Sequence, residues 1–396
     1  MEKPAVRISV RNLVEFILRS GDLDNRRGAG DKEAMLKGSR LHRKIQSRMG
    51  SEYRAEVSMK LESEYEDVRI IVEGRADGIF TEDDQVWIDE IKGVYADIEK
   101  MEEPVAVHKA QAKCYAWICA REQGLERAGV QMTYGNLDTE EIRRFREIYT
   151  AEELRDWYQG LLDAYHKWIA YQIAWKKERN SSMEGLEFPF AYRGGQRKIV
   201  TSVYHSISAG KQIFIQAPTG VGKTMSTIFP AVRAVGEGLG ENIFYLTAKT
   251  ITRTVAEEAF QILSRHGLKF KVITITAKEK LCFCEKPECN PEKCLYARGH
   301  FDRINNAVYE LWTGADRYDR ETLLAAAQKW QVCPFELCLD LAVWTDSVIC
   351  DYNYVFDPNV YLKRFFGEGT SGKYIFLIDE AHNLVDRGRE MYSAMV

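Results

Sequence analysis

Residues 216–224 read Gln216-Ala217-Pro218-Thr219-Gly220-Val221-Gly222-Lys223-Thr224, and this stretch decides the fold of the second half of the chain. It follows the apolar run 213–215, which we expect to be a strand, and precedes a helical pattern that begins near Met225. A phosphate-binding loop needs this order, because glycines let backbone N–H groups turn toward phosphate oxygens and a helix N-terminus adds its positive dipole end. An ordinary Gly/Pro turn is the alternative. The sequence therefore predicts an ATP site.

Two side chains of the loop have predicted roles. Lys223 would reach the β- and γ-phosphates of the nucleotide, and the Thr224 hydroxyl would hold Mg²⁺. The first loop position is alanine rather than glycine, which a small side chain tolerates. We expect the whole loop to contact the nucleotide: Ala217, Pro218, Thr219, Gly220, Val221, Gly222, Lys223 and Thr224.

The pattern after the loop alternates strands and helices, which is typical of a parallel sheet with crossover helices. We expect a helix at 250–266 and strands at 242–246, 271–276, 347–350 and 374–378. The last of these strands ends in Asp379-Glu380-Ala381-His382. At a strand tip beside the phosphate loop, Asp379 would hold Mg²⁺ and Glu380 would polarise the attacking water. His382 would couple hydrolysis to the rest of the protein.

The phosphate loop and the Asp-Glu-Ala-His stretch together resemble the ATPases of helicase superfamily 2. In helicases, a segment such as 192–196 folds back over the adenine, so the resemblance implies that Arg193 and Gln196 contact the nucleotide. A simple cap of the following helix is the alternative for these two residues.

Composition sets broad limits. The chain of 396 residues suggests two or three domains, and its 55 basic and 59 acidic residues neither support nor exclude nucleic acid binding. No apolar run approaches the ~20 residues that span a bilayer, and the N-terminus lacks the apolar core of a signal peptide. We therefore expect a cytoplasmic protein without a membrane partner.

Cysteines are crowded between the phosphate loop and Asp379. Of nine cysteines, six fall between Cys282 and Cys338. The spacing Cys-x6-Cys-x4-Cys-x38-Cys of Cys282, Cys289, Cys294 and Cys333 suits a tetrahedral Zn²⁺ site or an iron–sulfur cluster, and it does not separate the two. Cys284 could replace Cys282 as the first ligand, and a site without metal is a third alternative. Cys114, Cys119 and Cys350 are expected to be core thiols.

The position of this cysteine insert, with the stretch 349–358 after it, resembles the XPD/DinG family of iron–sulfur helicases. The resemblance covers about residues 186–396 and implies a RecA-like domain at 191–396 with an inserted iron–sulfur domain at 277–346. It also implies that Cys282, Cys289, Cys294 and Cys333 hold a 4Fe–4S cluster, and that the protein binds ATP and DNA.

Residues 1–180 predict a separate α/β domain, followed by a polar linker at 181–190. The expected helices are 9–19, 31–48, 105–123 and 151–179, and the expected strands are 54–62, 68–73, 75–80, 86–91, 130–134 and 141–149. This is an ordinary domain size, so we treat it as an independent unit.

Acidic residues in this domain fall at strand ends. Asp77 lies in Gly-Arg-Ala-Asp-Gly, and Glu90 and Lys92 alternate along the next strand, so their side chains share one face. Such carboxylates could bind Mg²⁺ or Mn²⁺, with the lysine offsetting developing phosphate charge. Gln111 and Tyr115 are four residues apart and share a helical face. A solvated acidic edge is the alternative.

These residues resemble the RecB-type branch of the PD-(D/E)XK nucleases. The resemblance implies that His42, Asp77 and Glu90 are metal ligands and that Lys92 is the catalytic lysine. It also implies that Gln111 and Tyr115 support the site. A non-cutting version of the fold remains an alternative.

The expected protein is an ATP-dependent DNA helicase fused to a nuclease that cuts single strands or flaps. DNA repair or replication-associated processing is implied by the resemblance, and the expected partner is single-stranded or forked DNA. The sequence ends at Val396, shortly after Asp379, so we expect a second motor domain to be missing and unwinding by this chain alone to fail. A helicase with a non-cutting DNA-docking domain and a non-enzymatic DNA-binding remnant are the alternatives.

Overall fold

The computed structural model describes residues 3–26, 32–218, 220–248, 250–367 and 370–393, without the side chains of 32–34, 250 and 251. It divides into two compact units. The first unit is formed by Met1–Ser20 and Asp24–Tyr171, and the second by Gly21–Leu23 and Gln172–Val396.

The first unit is built on a mixed six-stranded sheet with the order β1-β3-β4-β5-β6, in which β2 also pairs with β3. β1 and β3 are parallel, as are β4 and β5, whereas the other pairs are antiparallel. Its elements are β1 (Ala5–Ser9), α1 (Val10–Ile17), α2 (Lys32–Ser47), β2 (Arg54–Glu64), β3 (Arg69–Glu82), β4 (Gln85–Val94), α3 (Ala106–Gln123), β5 (Arg127–Asn136), β6 (Ile142–Thr150) and α4 (Ala151–Met183).

Local chemistry accounts for two boundaries in this unit. Helix α1 begins after Ser9, whose side chain accepts a hydrogen bond from the backbone N–H of Asn12. The tight turn between β3 and β4 places Asp83 and Asp84 at φ +51° and +59°, a conformation that aspartate tolerates better than most residues. The strands expected at 68–73 and 75–80 form the single strand β3, because Gly74 continues the pairing with β2 opposite Met59. Strand β1 was not predicted.

The second unit is built on a five-stranded sheet with the order β11-β7-β10-β8-β9, and every pairing in it is parallel. The fold is therefore mixed α/β with a parallel sheet, as the sequence predicts. Its elements are α5 (Gln196–Ser208), α6 (Lys223–Gly236), β7 (Asn242–Thr247), α7 (Thr250–Arg265), β8 (Val272–Thr274), α8 (Lys278–Leu281), α9 (His300–Gly314), β9 (Arg317–Tyr318), α10 (Arg320–Trp330), α11 (Pro334–Ala342), β10 (Ser347–Asp351), α12 (Asn353–Phe356), α13 (Lys363–Phe366), β11 (Tyr374–Ile378) and α14 (Leu384–Met391).

Two parts of the second unit differ from the sequence-based expectation. The apolar run 213–215 is not a strand, and Phe214 is 89% exposed. Three apolar residues become a strand only when a neighbouring strand supplies ladder hydrogen bonds, and here none pairs with them. Within the cysteine-rich range 277–346, the short strand β9 joins the edge of the sheet beside β8.

The segment 181–190 is packed against the second unit. Helix α4 continues through Met183, and Met183 and Leu186 belong to the core that α6, β7 and α7 share. Phe188 packs against the same core. No helix in the described part of the chain is both long enough and apolar enough to cross a membrane.

Candidate active sites

The first site lies where β3 and β4 run side by side in the first unit. Asp77 is on β3, and its Oδ2 accepts a 2.7 Å hydrogen bond from the backbone N–H of Ile91. Glu90 and Lys92 are on β4, and the Lys92 Nζ donates to Glu90 Oε1 at 2.6 Å. Lys92 also donates to Gln111 Oε1 at 2.8 Å, so a residue of α3 joins the pair. The structure thus brings together four of the predicted residues.

Burial makes the two carboxylates of this site costly to ionise. Glu90 is 4% exposed, and its Oε2 is buried without a hydrogen-bond partner. Desolvation, followed by the nearby Asp77 charge, raises the pKa of Glu90 to about 7, although Lys92 opposes the shift. Desolvation also raises the pKa of Asp77, against the Ile91 hydrogen bond and the charges of His42 and Lys92. A divalent cation is the ligand that would relieve such a pair.

His42 approaches the same carboxylates from helix α2. Its Nδ1 lies 3.9 Å from Asp77 Oδ1. Leu41 and Ile45 hold the helix in place by packing on Ile91 of β4. One turn after His42, Gln46 donates 2.9 Å to the backbone carbonyl of Asp77.

Gln46 was missed by sequence reasoning. Its signal is positional, because residues four apart on a helix share one face. It also donates to Glu56 Oε1 at 3.1 Å, so a single amide ties helix α2 to β2 and β3.

Tyr115 stands one helical turn after Gln111 on α3 and is buried. Its hydroxyl occupies the space where a Cβ at Gly74 would lie, so only glycine fits at that position of β3. Its pKa is raised, chiefly by burial, so the hydroxyl stays protonated. Among the residues that the structure describes, no group of three or more His, Cys, Asp or Glu side chains is close enough to hold a metal ion.

The second site lies at the N-terminus of α6, in the second unit. Gly220 and Gly222 adopt φ +82° and +78°, which side chains rarely allow, and α6 then begins at Lys223. The Lys223 Nζ lies 3.5 Å from the Ala217 carbonyl and 3.8 Å from Glu380 Oε1. Thr219 lies outside the described residues.

Arg193 and Gln196 are placed against this loop. Gln196 Oε1 accepts a 3.0 Å hydrogen bond from the Arg193 N–H, and the Arg193 guanidinium donates to the Gly220 carbonyl. A Cβ at Gly222 would lie 2.7 Å from Gln196 Nε2, so the amide lies directly against the loop backbone. Val221 is half-buried in the same loop, and Pro218 is exposed.

Asp379 follows β11 and faces the loop. Its backbone N–H donates a 3.0 Å hydrogen bond to the Leu246 carbonyl of β7. This bond extends the pairing of β11 with β7 by one residue. Desolvation and the neighbouring Glu380 raise its pKa, whereas Lys223 lowers it. The Thr224 hydroxyl and the Asp379 carboxylate are the oxygen ligands that Mg²⁺ prefers, so the residues fit the ion. The imidazole Nδ1 of His382 lies 3.4 Å from Glu380 Oε2.

Two tyrosines of this site were missed by sequence reasoning. The Tyr245 hydroxyl lies 3.5 Å from Thr224 Oγ1, and the nearby Asp379 charge helps to raise its pKa. The Tyr352 hydroxyl donates to the backbone carbonyls of Asp379 and Glu380. Both tyrosines lie at the carboxyl end of strands that flank the site, where parallel sheets place ligand contacts. That placement could have pointed to them.

A third pocket, in the cysteine-rich part of the second unit, is lined by five thiols. The Sγ atoms of Cys284 and Cys294 are 4.0 Å apart. Burial raises the pKa of Cys333 to about 11, and burial together with Cys294 raises that of Cys284 to about 11. The remaining cysteines, including Cys338, are buried elsewhere. The five pocket thiols are Cys282, Cys284, Cys289, Cys294 and Cys333.

Residues 21–23, here called the strap, close one side of this pocket. Leu23 lines the pocket, and its N–H donates 2.8 Å to the Ala297 carbonyl. Asp22 Oδ1 accepts a 2.6 Å hydrogen bond from the Gly299 N–H. The strap was not predicted, because its sequence gives no sign of a partner so distant along the chain.

Family comparisons bear on the second unit. The DEAD/DEAH box helicase family model matches residues 195–286, and the DEAD_2 family model matches residues 247–396. Lys223 lies in the first match and Asp379 in the second. Together the two matches span residues 195–396, so this part of the chain is similar to DEAD/DEAH box helicase domains.

Proteins of several animals are similar to part of the chain. The chain is 32% identical over 106 residues to a Fanconi anemia group J protein homolog of Gallus gallus. These residues are 26% of this chain and 8% of the relative. It is 27% identical over 159 residues to a regulator of telomere elongation helicase 1 homolog of Anopheles gambiae, which covers 37% and 16%. The chain therefore spans a small part of these relatives' lengths.

Two solved structures also resemble the chain. One described as XPD helicase is 18% identical with a TM-score of 0.34, and it covers 50% of this chain and 34% of that one. One described as truncated XPD is 19% identical with a TM-score of 0.32, and it covers 49% and 54%.

Proposed function

We propose that this chain combines an ATP-driven DNA helicase motor with a metal-dependent nuclease. The helicase domain would move along single-stranded or forked DNA, and the first unit would cut single strands or flaps. The observation that carries the nuclease half is the contact of Lys92 with both Glu90 and Gln111, next to Asp77, whose carboxylate accepts from the backbone N–H between Glu90 and Lys92.

The motor half follows from the nucleotide site. Lys223 would bind the β- and γ-phosphates, and Thr224 and Asp379 would hold Mg²⁺. Glu380 would orient the attacking water, since its carboxylate lies 3.8 Å from Lys223 and is open to solvent. Arg193 and Gln196 would contact the base end of ATP, in keeping with their position against the loop.

The nuclease half rests on charge and burial. His42, Asp77 and Glu90 would hold Mg²⁺ or Mn²⁺, which supplies an activated water and a counter-charge for the phosphate. Lys92 already lies beside Glu90, so its ammonium would stabilise negative charge that develops on the scissile phosphate. Gln111 orients that ammonium, and Tyr115 supports β3 from behind.

Cleavage of labelled single-stranded DNA by the full chain with Mn²⁺ tests this half. We expect D77A and E90Q to lose cleavage by at least about 100-fold, because each removes a predicted metal ligand. E122Q is the matched control, since Glu122 is an exposed residue on α3. Cleavage that survives D77A overturns the assignment, and intact DNA binding by a wild-type protein that never cuts would support a docking domain instead.

The thiol pocket would hold a 4Fe–4S cluster between four of its five sulfurs. Five thiols in one pocket fit a sulfur-bound group, and the cluster would rigidify the insert that separates DNA strands. Zn²⁺ suits the same donors. Metal analysis of the purified chain distinguishes them: iron with acid-labile sulfide supports the cluster, whereas stoichiometric zinc overturns it.

A further inference from the structure

Tyr245 is the feature of the nucleotide site that the family roles above leave without a function. It lies on β7 and is 2% exposed, yet its hydroxyl reaches the polar end of the sheet. That hydroxyl lies 3.5 Å from Thr224 Oγ1, and the Asp379 carboxylate is near enough for each group to shift the pKa of the other. It is therefore a single group placed beside both residues predicted to hold Mg²⁺.

The sheet register explains how one side chain reaches both partners. Tyr245 pairs with Leu377 of the neighbouring strand β11, so the two side chains share one face of the sheet. Asp379 follows Leu377 by two residues and so lies on that face as well. Helix α6 covers the face, and its first turn carries Thr224.

The chemistry of the three groups fixes the direction of one hydrogen bond. An ionised carboxylate only accepts hydrogen bonds, so in a hydrogen bond between the two groups Tyr245 is the donor and Asp379 the acceptor. Burial, followed by the Asp379 charge, raises the pKa of Tyr245, so the donor proton is kept at working pH. Thr224 Oγ1, 3.5 Å away, is the other oxygen that this O–H can reach.

We propose that Tyr245 is a positioning residue for the Mg²⁺ of the nucleotide site, holding the Asp379 carboxylate and the Thr224 hydroxyl in register with each other. It does so without contacting the ion. The role goes beyond the motor function proposed above and rests on its nucleotide site. Removing the hydroxyl frees the carboxylate to rotate, while the ring still fills the core beneath α6.

The test is the Mg²⁺ dependence of nucleotide binding by the full chain, with the variant Y245F. A fluorescent non-hydrolysable ATP analogue is titrated first without divalent ions and then at increasing Mg²⁺. We expect the Mg²⁺ concentration for half-maximal enhancement to rise about tenfold in Y245F, with binding in the absence of Mg²⁺ unchanged. Y374F is the matched control, because the Tyr374 hydroxyl lies 3.4 Å from the Phe365 carbonyl and Tyr374 has no proposed role in the nucleotide site.

Three results would overturn the proposal. One is the same Mg²⁺ dependence in Y245F and wild type. Another is an equal loss of binding with and without Mg²⁺, because that indicates a packing role. Failure of the wild-type chain to bind the analogue at any Mg²⁺ concentration overturns the nucleotide site itself, and this role with it.

Discussion

Each unit contains a lysine beside a glutamate, and the two pairs differ in how far the protein fixes them. In the first unit, Lys92 lies 2.6 Å from Glu90, and their side chains are 25% and 6% exposed. In the second unit, Lys223 lies 3.8 Å from Glu380, and the side chains are 37% and 41% exposed. The first pair is therefore a short, largely buried contact without any ligand, whereas the side chains of the second pair are further apart and more exposed to solvent.

This difference follows from the chemistry proposed for each site. A nuclease lysine stabilises charge on the phosphate of a bound DNA strand. An ammonium already held in place by Glu90 and Gln111 does not have to be reoriented during the reaction, which avoids a reorganisation free energy. A phosphate-loop lysine must close around an arriving nucleotide, so a side chain without a strong partner is suitable. The comparison predicts that changes to the first pair have the larger effects.

The largest effect is expected from K92M. Methionine keeps the length of the side chain but removes the ammonium, which leaves the Glu90 carboxylate buried without its cation. We expect Mn²⁺-dependent cleavage to fall by about 10³-fold, since both charge stabilisation and the metal ligand are affected. The measurement is the initial rate of cleavage. K113M is the control, because Lys113 lies on the same helix as Gln111 but faces the aromatic rings of Tyr149 and Trp157. Equal rates for the two variants would contradict a role for Lys92.

The pH dependence of stability tests how strongly Glu90 is buried. Its pKa is about 7 in the folded chain against 4.5 for an ordinary glutamate, so between these values the folded state holds more protons than the unfolded state. The free energy of unfolding of the metal-free chain should therefore fall as pH rises from about 4.5 to about 7, by roughly 3 kcal/mol from this group. E90Q should remove that part of the slope, and E122Q should keep it. Denaturant unfolding at several pH values measures both, and an unchanged slope in E90Q contradicts the burial argument.

The strap is expected to have an effect of intermediate size. It lies far along the chain from the cysteines at 282–333, and its Leu23 lines the thiol pocket. We expect L23A to weaken metal retention in the thiol pocket about tenfold, since Leu23 lines it and shields the sulfurs from solvent. Metal content after timed exposure to a chelator measures the effect. L239A is the control, because Leu239 is a partly exposed leucine of the second unit that does not line the pocket. Equal retention in both variants would show that the strap does not protect the site.

Some elements and site residues could be predicted from the sequence and others could not, and the difference has physical reasons. Strands and helices with long periodic patterns, such as β11 and α3, appear near their expected bounds because local pattern and burial agree. Glu90 and Lys92 could be paired from the two-residue period of a strand. Gln46 and Tyr245 could be placed on a helix face and near a strand end, but their partners, and the strap as a whole, could not be predicted, because they are set by packing between elements far apart in the sequence. The apolar run 213–215 was wrong as a strand, because strand formation depends on a neighbour that sequence alone does not supply.

The smallest effect is expected at Phe214, which the sequence placed in a strand. Its side chain is 89% exposed, so F214A should change the free energy of unfolding by no more than about 0.5 kcal/mol. F244A is the matched variant, because Phe244 is fully buried on β7 and packs against Phe376, and it should cost about 3–5 kcal/mol. Denaturant unfolding of both variants without nucleotide gives the comparison. A cost for F214A close to that of F244A would mean that the run 213–215 occupies a buried strand beside β11, and the nucleotide site would then be as fixed in the absence of ligand as the carboxylate site.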